Sequence, residues 1–216
     1  MRGGNRPALA TWALAAVLLL GSSAPAAAQQ TRAPAMGGAD LLAALRSGGL
    51  ILYFRHADTD FKQKDVRPVN LADCTQQRNL TDKGREHSRN IGAAIRALAI
   101  PVGPVLASPL CRTVETAELA FGPAERSMAV RDGGPTPPGS PDRYAALRAM
   151  LSTPPAPGRN PVIVGHAYPL YTLIGGQYLE EGEAAVVQPR GADFEVIARV
   201  GLKEWRELAQ LPPKRE

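Results

Sequence analysis

The chain has 216 residues, with 25 Lys and Arg against 20 Asp and Glu, three His, two Cys and aromatic residues at only 5%. That length suits one domain, or at most two small ones, and so few His and Cys exclude an array of metal sites or zinc fingers. Any chemistry that needs imidazole rests on three positions at most.

Arg2 and Arg6 precede an apolar run from Ala8 to Leu20, followed by small residues up to Ala28. A basic start, a short apolar run and an A-x-A site predict a secretory signal peptide over 1–28, the alternative being an uncleaved N-terminal anchor. The run falls short of the roughly 20 apolar residues that a membrane span needs. Removing 28 residues leaves 188, and losing two Arg and no acid lowers the net charge from +5 to +3. No basic stripe interleaved with aromatics is present, so nucleic acid is not an expected partner. Stable membrane insertion of the cleaved chain is not expected either. Basic residues instead suit a small anionic substrate. Export to the periplasm or outside the cell implies an oxidising compartment, where a Cys74–Cys111 disulfide is one expectation and two separate buried thiols the alternative.

Residues 29–39 read as a flexible mature N-terminus, and 40–216 as one domain. Asp40 is expected to cap a helix running to Arg46, stopped by Gly48-Gly49. Leu50 to Phe54 is an unbroken apolar run, the pattern of a strand buried on both faces; it stops at Arg55-His56. Residues 57–79 are polar and aperiodic, a loop. Thr81 caps a helix with His87, Ile91, Ala94 and Leu98 at helical spacing, and Pro101 and Pro104 end it. Val105–Ala107 is a second strand. Ser108-Pro109 has N-cap and N1 chemistry, opening a helix with Leu110, Val114, Ala117 and Phe121 on its buried face.

Met128–Val130 is a candidate short strand, and 132–141 a proline-rich loop. Ser140-Pro141-Asp142 opens a helix to Leu151. Val162–Val164 is a further buried strand, ending at Gly165-His166. A helix from Pro169 to Ile174 stops at Gly175-Gly176. Ala184–Gln188 and Phe194–Val200 are expected to pair as a hairpin across 189–191, and Leu202–Leu208 forms a last helix. Alternating strands and helices predict an α/β three-layer sandwich with a mostly parallel central sheet flanked by helices. Ligands of such sheets sit at the carboxyl ends of the strands, where Arg55-His56, Ser108 with Arg112, and His166 would converge.

A neutral imidazole after a buried strand can act as a nucleophile, and a neighbouring guanidinium can hold a phosphoryl group by paired hydrogen bonds; the alternative is a surface salt bridge at a strand end. Arg112 falls in the first turn of its helix, where free N–H groups favour an anion; the alternative is a pair with Glu115. His87 reads as structural.

Together these segments resemble the histidine phosphatase superfamily, its phosphoglycerate mutase-like branch. The family's Arg-His-Gly opening corresponds to Arg55-His56-Ala57, and its Leu-Thr…Gly helix start to Leu80-Thr81-Asp82-Lys83-Gly84. Its Ser-Pro-x-x-Arg-x-x-x-Thr-Ala segment corresponds to Ser108–Ala117, and its Gly-His to Gly165-His166. The resemblance implies that His56 attacks phosphorus and becomes a transient phosphohistidine. Arg55, Arg112 and His166 then surround the transferred group, and no metal or cofactor is required. It also places Thr59 near the phosphate. Arg78 extends the basic pocket, although both are also ordinary loop residues. Asp132 is the nearest match to the family's leaving-group acid, with Asp58 and Asp60 as rivals and turn chemistry as its plainer role. Ala57 replaces the family's Gly, which is tolerable only at negative φ.

The expected function is an exported phosphomonoesterase acting on a small phosphorylated substrate. The alternatives are a phosphohistidine protein phosphatase and a catalytically silent phosphate-binding module.

Overall fold

A computed structural model describes residues 1, 36–133, 140 and 143–211. The expected signal peptide, most of the 29–39 segment, and Pro141 and Asp142 lie outside the described residues. Five short apolar segments and one two-residue strand build a six-stranded sheet: β1 (Ile51–Arg55), β2 (Val102–Ala107), β3 (Glu125–Arg126), β4 (Asn160–Gly165), β5 (Ala184–Arg190) and β6 (Asp193–Val200). Their order is β3-β2-β4-β1-β5-β6. The β1–β4, β2–β4 and β2–β3 pairs are parallel, and only β5 runs against its neighbours, antiparallel to β1 and β6. The sheet is therefore mostly parallel, as predicted.

Period-two alternation decides which core each residue joins. In β1, Leu52 and Phe54 enter one core, while Ile51 and Tyr53 enter the other. The first core is covered by α1 (Gly38–Ser47), α2 (Asp82–Ala97), α3 (Cys111–Phe121) and α6 (Leu202–Ala209), through Leu45, Ile91, Val114 and Trp205 among others. The second lies under α4 (Ala145–Ser152) and α5 (Ala167–Ile174), through Leu147, Leu151 and Leu170. Helices on both faces of one sheet make the expected three layers. Two glycines permit close approach: a Cβ on Gly92 would overlap the Ala120 carbonyl, and one on Gly84 the Asp58 carbonyl. The first lets α2 pack on α3; the second seats α2 against the chain just after His56.

Several boundaries differ from expectation. The first helix starts at Gly38 with Gly37 as its N-cap, so Asp40 sits in the first turn. Thr81 does cap α2, its hydroxyl accepting from Gly84 N–H. Strand β2 begins three residues earlier than expected and includes Pro104. Ser108 does not cap α3; Leu110 is its N-cap, and Cys111 its first residue. Met128–Val130 is a 3₁₀ turn rather than a strand, and the strand of this region is β3, paired with β2. The hairpin forms as expected, but its strands extend to Arg190 and Asp193.

Candidate active site

The parallel register aligns the strand ends. Arg55 is opposite Gly165 across β1 and β4, His56 N–H donates to Gly165 C=O (3.1 Å), and Ser108 N–H donates to Val164 C=O (2.9 Å). His56 and His166 consequently meet edge to face, ring centroids 5.5 Å apart and planes at 69°. Residues 110 positions apart in sequence are thus joined by sheet geometry alone.

His56 is buried, and its Nδ1 lies 2.9 Å from Ala57 C=O. A carbonyl only accepts, so Nδ1 carries the proton and the neutral ring presents its lone pair at Nε2. Burial pushes His56 down to about 3, against the Ala57 bond; the charges of Arg112, Arg55 and Arg78 push the same way as burial. The ring is therefore uncharged at neutral pH, as a nucleophile must be. Ala57 meets the condition set for it: the one described non-glycine residue at positive φ is Ala99. Its N–H donates to Thr116 Oγ1 (3.1 Å), tying the β1 end to α3.

His166 is held well below its ordinary range by burial, then by His56 and the arginines. Its Nε2 is 2.8 Å from Ser108 Oγ, which explains why this hydroxyl does not serve as a cap. Tyr53 Oη donates to His166 C=O (2.8 Å) and accepts from its N–H (3.2 Å).

Arg112 stands in the first turn of α3, 4% exposed. Its fork faces Asp65, Nη1 to Oδ1 at 3.0 Å and Nη2 to Oδ2 at 3.3 Å, and Nη1 also donates to Arg78 C=O (3.3 Å). Glu115 is not its partner, for Glu115 pairs with Arg85 Nε at 2.7 Å. Arg112 Nε is buried without a protein partner. Burial lowers the Arg112 pKa, while Asp65 opposes the shift. Burial raises Asp65, but hydrogen bonds from Arg78 N–H and Arg112, with their charge, leave its carboxyl below the usual range. Arg78 lies with its guanidinium 4.8 Å from the Phe61 ring centroid, and its charge acts on both site histidines.

Thr59 is drawn in by Glu181, an acid that no motif marked. Thr59 Oγ1 donates to Glu181 Oε1 (2.6 Å) and Thr59 N–H to Oε2 (3.2 Å). Glu181 Oε1 is also 3.5 Å from Arg55 Nη2 and 3.9 Å from His56 Nδ1. Arg55 Nη1 donates to Leu179 C=O (2.7 Å). The reason is topological: β5 begins opposite Phe54, so the segment before it runs past the end of β1.

The candidate acids separate. Asp58 accepts from Lys83 Nζ (2.7 Å) and lies 2.8 Å from His87 Nδ1. Burial raises it, but these partners win and hold it low. Asp60 Oδ1 accepts from Lys62 N–H (2.9 Å). Asp132 is exposed, and its charge acts on Arg112, Tyr53 and Tyr144. His87 packs against Gly182, consistent with a structural role.

Cys74 and Cys111 are bridged, with Cα atoms 5.7 Å apart. The bond fastens the 57–79 loop, which carries Asp65 and Arg78, to the residue before Arg112. Among the described residues no group of three His, Cys, Asp or Glu is placed to hold a metal ion. No helix among them is long and apolar enough to cross a membrane.

Residues 51–133 match the model of the histidine phosphatase superfamily (branch 1), which bears out the resemblance over the Arg55-His56, Leu80–Gly84 and Ser108–Ala117 motifs; Gly165-His166 lies beyond the matched residues. No curated protein matches the sequence. Solved structures share the fold. A phosphoserine phosphatase mutant from Entamoeba histolytica, in complex with phosphoserine, aligns at 13% identity and TM-score 0.50, over 72% of this chain and 98% of that one. The protein histidine phosphatase SixA complexed with tungstate aligns at 18% and 0.47, over 71% and 97%. The alpha-ribazole phosphatase from Shigella flexneri aligns at 14% and 0.44, over 68% and 94%. The first of these, at 13% identity and TM-score 0.50, shows a likeness of fold alone.

Proposed function

We propose that this chain, whose residues 51–133 carry the histidine phosphatase (branch 1) pattern, is an exported phosphomonoesterase that works through a phosphohistidine on His56. One observation carries the reading. A neutral His56 with its lone pair on Nε2 meets His166 edge to face and feels the charges of Arg55, Arg78 and Arg112, and Arg112 Nε is buried without a protein partner.

In the first step Nε2 attacks phosphorus and the ester P–O bond breaks. The bonding pair leaves on the ester oxygen, which takes a proton from a carboxylic acid, and Asp132 is the candidate. In the second step water attacks phosphorus, the N–P pair returns to Nε2, and the water proton passes to the carboxylate. Arginine hydrogen bonds balance the charge on the equatorial oxygens, the main source of catalysis in phosphoryl transfer. The imidazolium formed in between keeps its Nδ1–H on Ala57 C=O, with the Glu181 carboxylate 3.9 Å away. Cations already present do the work of a metal, so the reaction is assigned as metal-independent. Export is supported by the leader pattern and by the Cys74–Cys111 bridge, which suits an oxidising compartment.

Turnover of a generic aryl phosphate tests the reading. Wild type is expected to hydrolyse it equally with and without EDTA, and His56→Ala to lose at least about a thousandfold. Equal slow rates for the two proteins, or abolition by EDTA, would overturn it. Phosphate affinity that depends on Arg55 and Arg112 but yields no turnover would instead establish the silent binding module.

A further inference from the structure

We infer that the mouth of the site carries an aromatic rim that selects phosphate monoesters with a planar aromatic leaving group. This rests on the phosphomonoesterase reading above and names its substrate class.

The exposed aromatic side chains among the described residues are Phe61 (68%), Tyr168 (45%) and Tyr178 (46%). A chain with 5% aromatics places each of them on a segment that also carries a site group. Phe61 lies against the Arg78 guanidinium at 4.8 Å. Tyr168 is the second residue after His166, at the start of α5 where β4 ends. Tyr178 precedes Leu179, whose carbonyl anchors Arg55 Nη1 at 2.7 Å.

The tyrosines form one continuous series. The Tyr168 ring meets Tyr144 at 6.3 Å and 72°, and Tyr171 at 6.4 Å; Tyr171 stacks on Tyr178 at 4.3 Å and 23°. Tyr144 Oη accepts from Gly133 N–H (3.2 Å), beside Asp132. The series thus runs from the candidate leaving-group acid to the anchor of Arg55. Its first exposed ring, Tyr168, follows His166 by two residues, and its neighbour Tyr144 bonds the residue after the candidate acid Asp132, so we assign the leaving group of the substrate as the occupant. Aromatic faces favour offset or edge contacts with another ring and reward planarity. A ring stacked on its neighbours has already lost its rotamer freedom, so little is lost again on binding. A flexible alkyl leaving group gains neither advantage.

The test compares benzyl phosphate with cyclohexylmethyl phosphate, whose alcohols are similar in size and acidity but differ in planarity. The expected kcat/KM favours benzyl phosphate by about tenfold, in line with ring stacking in other sites. Tyr168→Leu keeps apolar bulk and is expected to erase most of that preference, with Tyr178→Leu and Phe61→Leu doing so in part. Binding of benzylphosphonate and cyclohexylmethylphosphonate to the His56→Ala protein gives a readout without turnover, with the same order expected. Equal turnover and equal binding of the two members, with hydrolysis intact, would overturn the rim while leaving the phosphomonoesterase standing. Failure to hydrolyse either ester, with wild type and His56→Ala alike, would remove both.

Discussion

Glu181 Oε1 stands 3.9 Å from His56 Nδ1 and accepts a 2.6 Å hydrogen bond from Thr59 Oγ1. One carboxylate therefore holds the chain just beyond the nucleophile, leans on Arg55, and faces the ring on the side away from Nε2. Glu181→Gln keeps the shape and removes the charge that steadies the imidazolium. We expect kcat to fall about tenfold, a loss of about 1.4 kcal/mol, with little change in KM. A Thr59→Val variant is expected to fall less, since it breaks the clamp but spares the charge. Steady-state kinetics of the two variants checks this, and a change confined to KM would contradict it.

The pair of Arg112 and Asp65 gives a second expectation. Asp65→Asn leaves a guanidinium that is 4% exposed with a neutral partner. Arg112 is buried but Asp65 only partly so, and weakening a hydrogen-bonded charge pair of this kind costs about 1–2 kcal/mol, so thermal unfolding is expected at lower temperature. Substrate binding should weaken as the fork loses its alignment. Arg112→Lys supplies charge without the fork and should raise KM while unfolding closer to wild type. Melting curves and KM values read both effects.

Stability should depend on pH through His56. Its folded pKa of about 3 lies below its ordinary 6.5, so the unfolded chain binds a proton between those values and the folded chain does not. The contribution to stability is complete above about 6.5 and is lost as pH falls toward 3, on the order of 5 kcal/mol over the full window. Urea midpoints measured from neutral pH downward should fall along this slope, and less steeply in His56→Gln. For the same reason, the acid limb of kcat/KM should not fall at the ordinary histidine pKa.

Reduction of Cys74–Cys111 opens a loop of 37 residues in sequence separation. In the chain-entropy model that is worth about 4 kcal/mol, a drop in melting temperature of about 10 °C for a domain of this size. Activity should fall with it, because the same bond holds the loop of Asp65 and Arg78 against the helix of Arg112. Calorimetry and turnover with and without reductant, on wild type and on the Cys74→Ser/Cys111→Ser double variant, check both.

His56, Arg112 and His166 were legible in sequence because each follows a strand or opens a helix, and strand ends of a parallel sheet converge. Asp65 and Glu181 were not, because they lie in aperiodic segments whose paths depend on the disulfide and on the reversed direction of β5. Ser108 was misread for a physical reason: a hydroxyl before proline suits a helix cap, but here the His166 imidazole holds it. The Met128–Val130 strand failed similarly, since Ser127 caps a 3₁₀ turn there. The central strands β1 and β4 were readable from apolar runs because both their faces are buried, whereas β3, two residues long and exposed, carries no such signal.

The most direct test of a phosphohistidine on His56 is the stereochemistry at phosphorus, followed with an isotopically chiral phosphate ester and an alcohol acceptor. Two successive in-line displacements, onto His56 Nε2 and then off it, are expected to give retention of configuration. Inversion would mean a single displacement, and His56 would then have no covalent role.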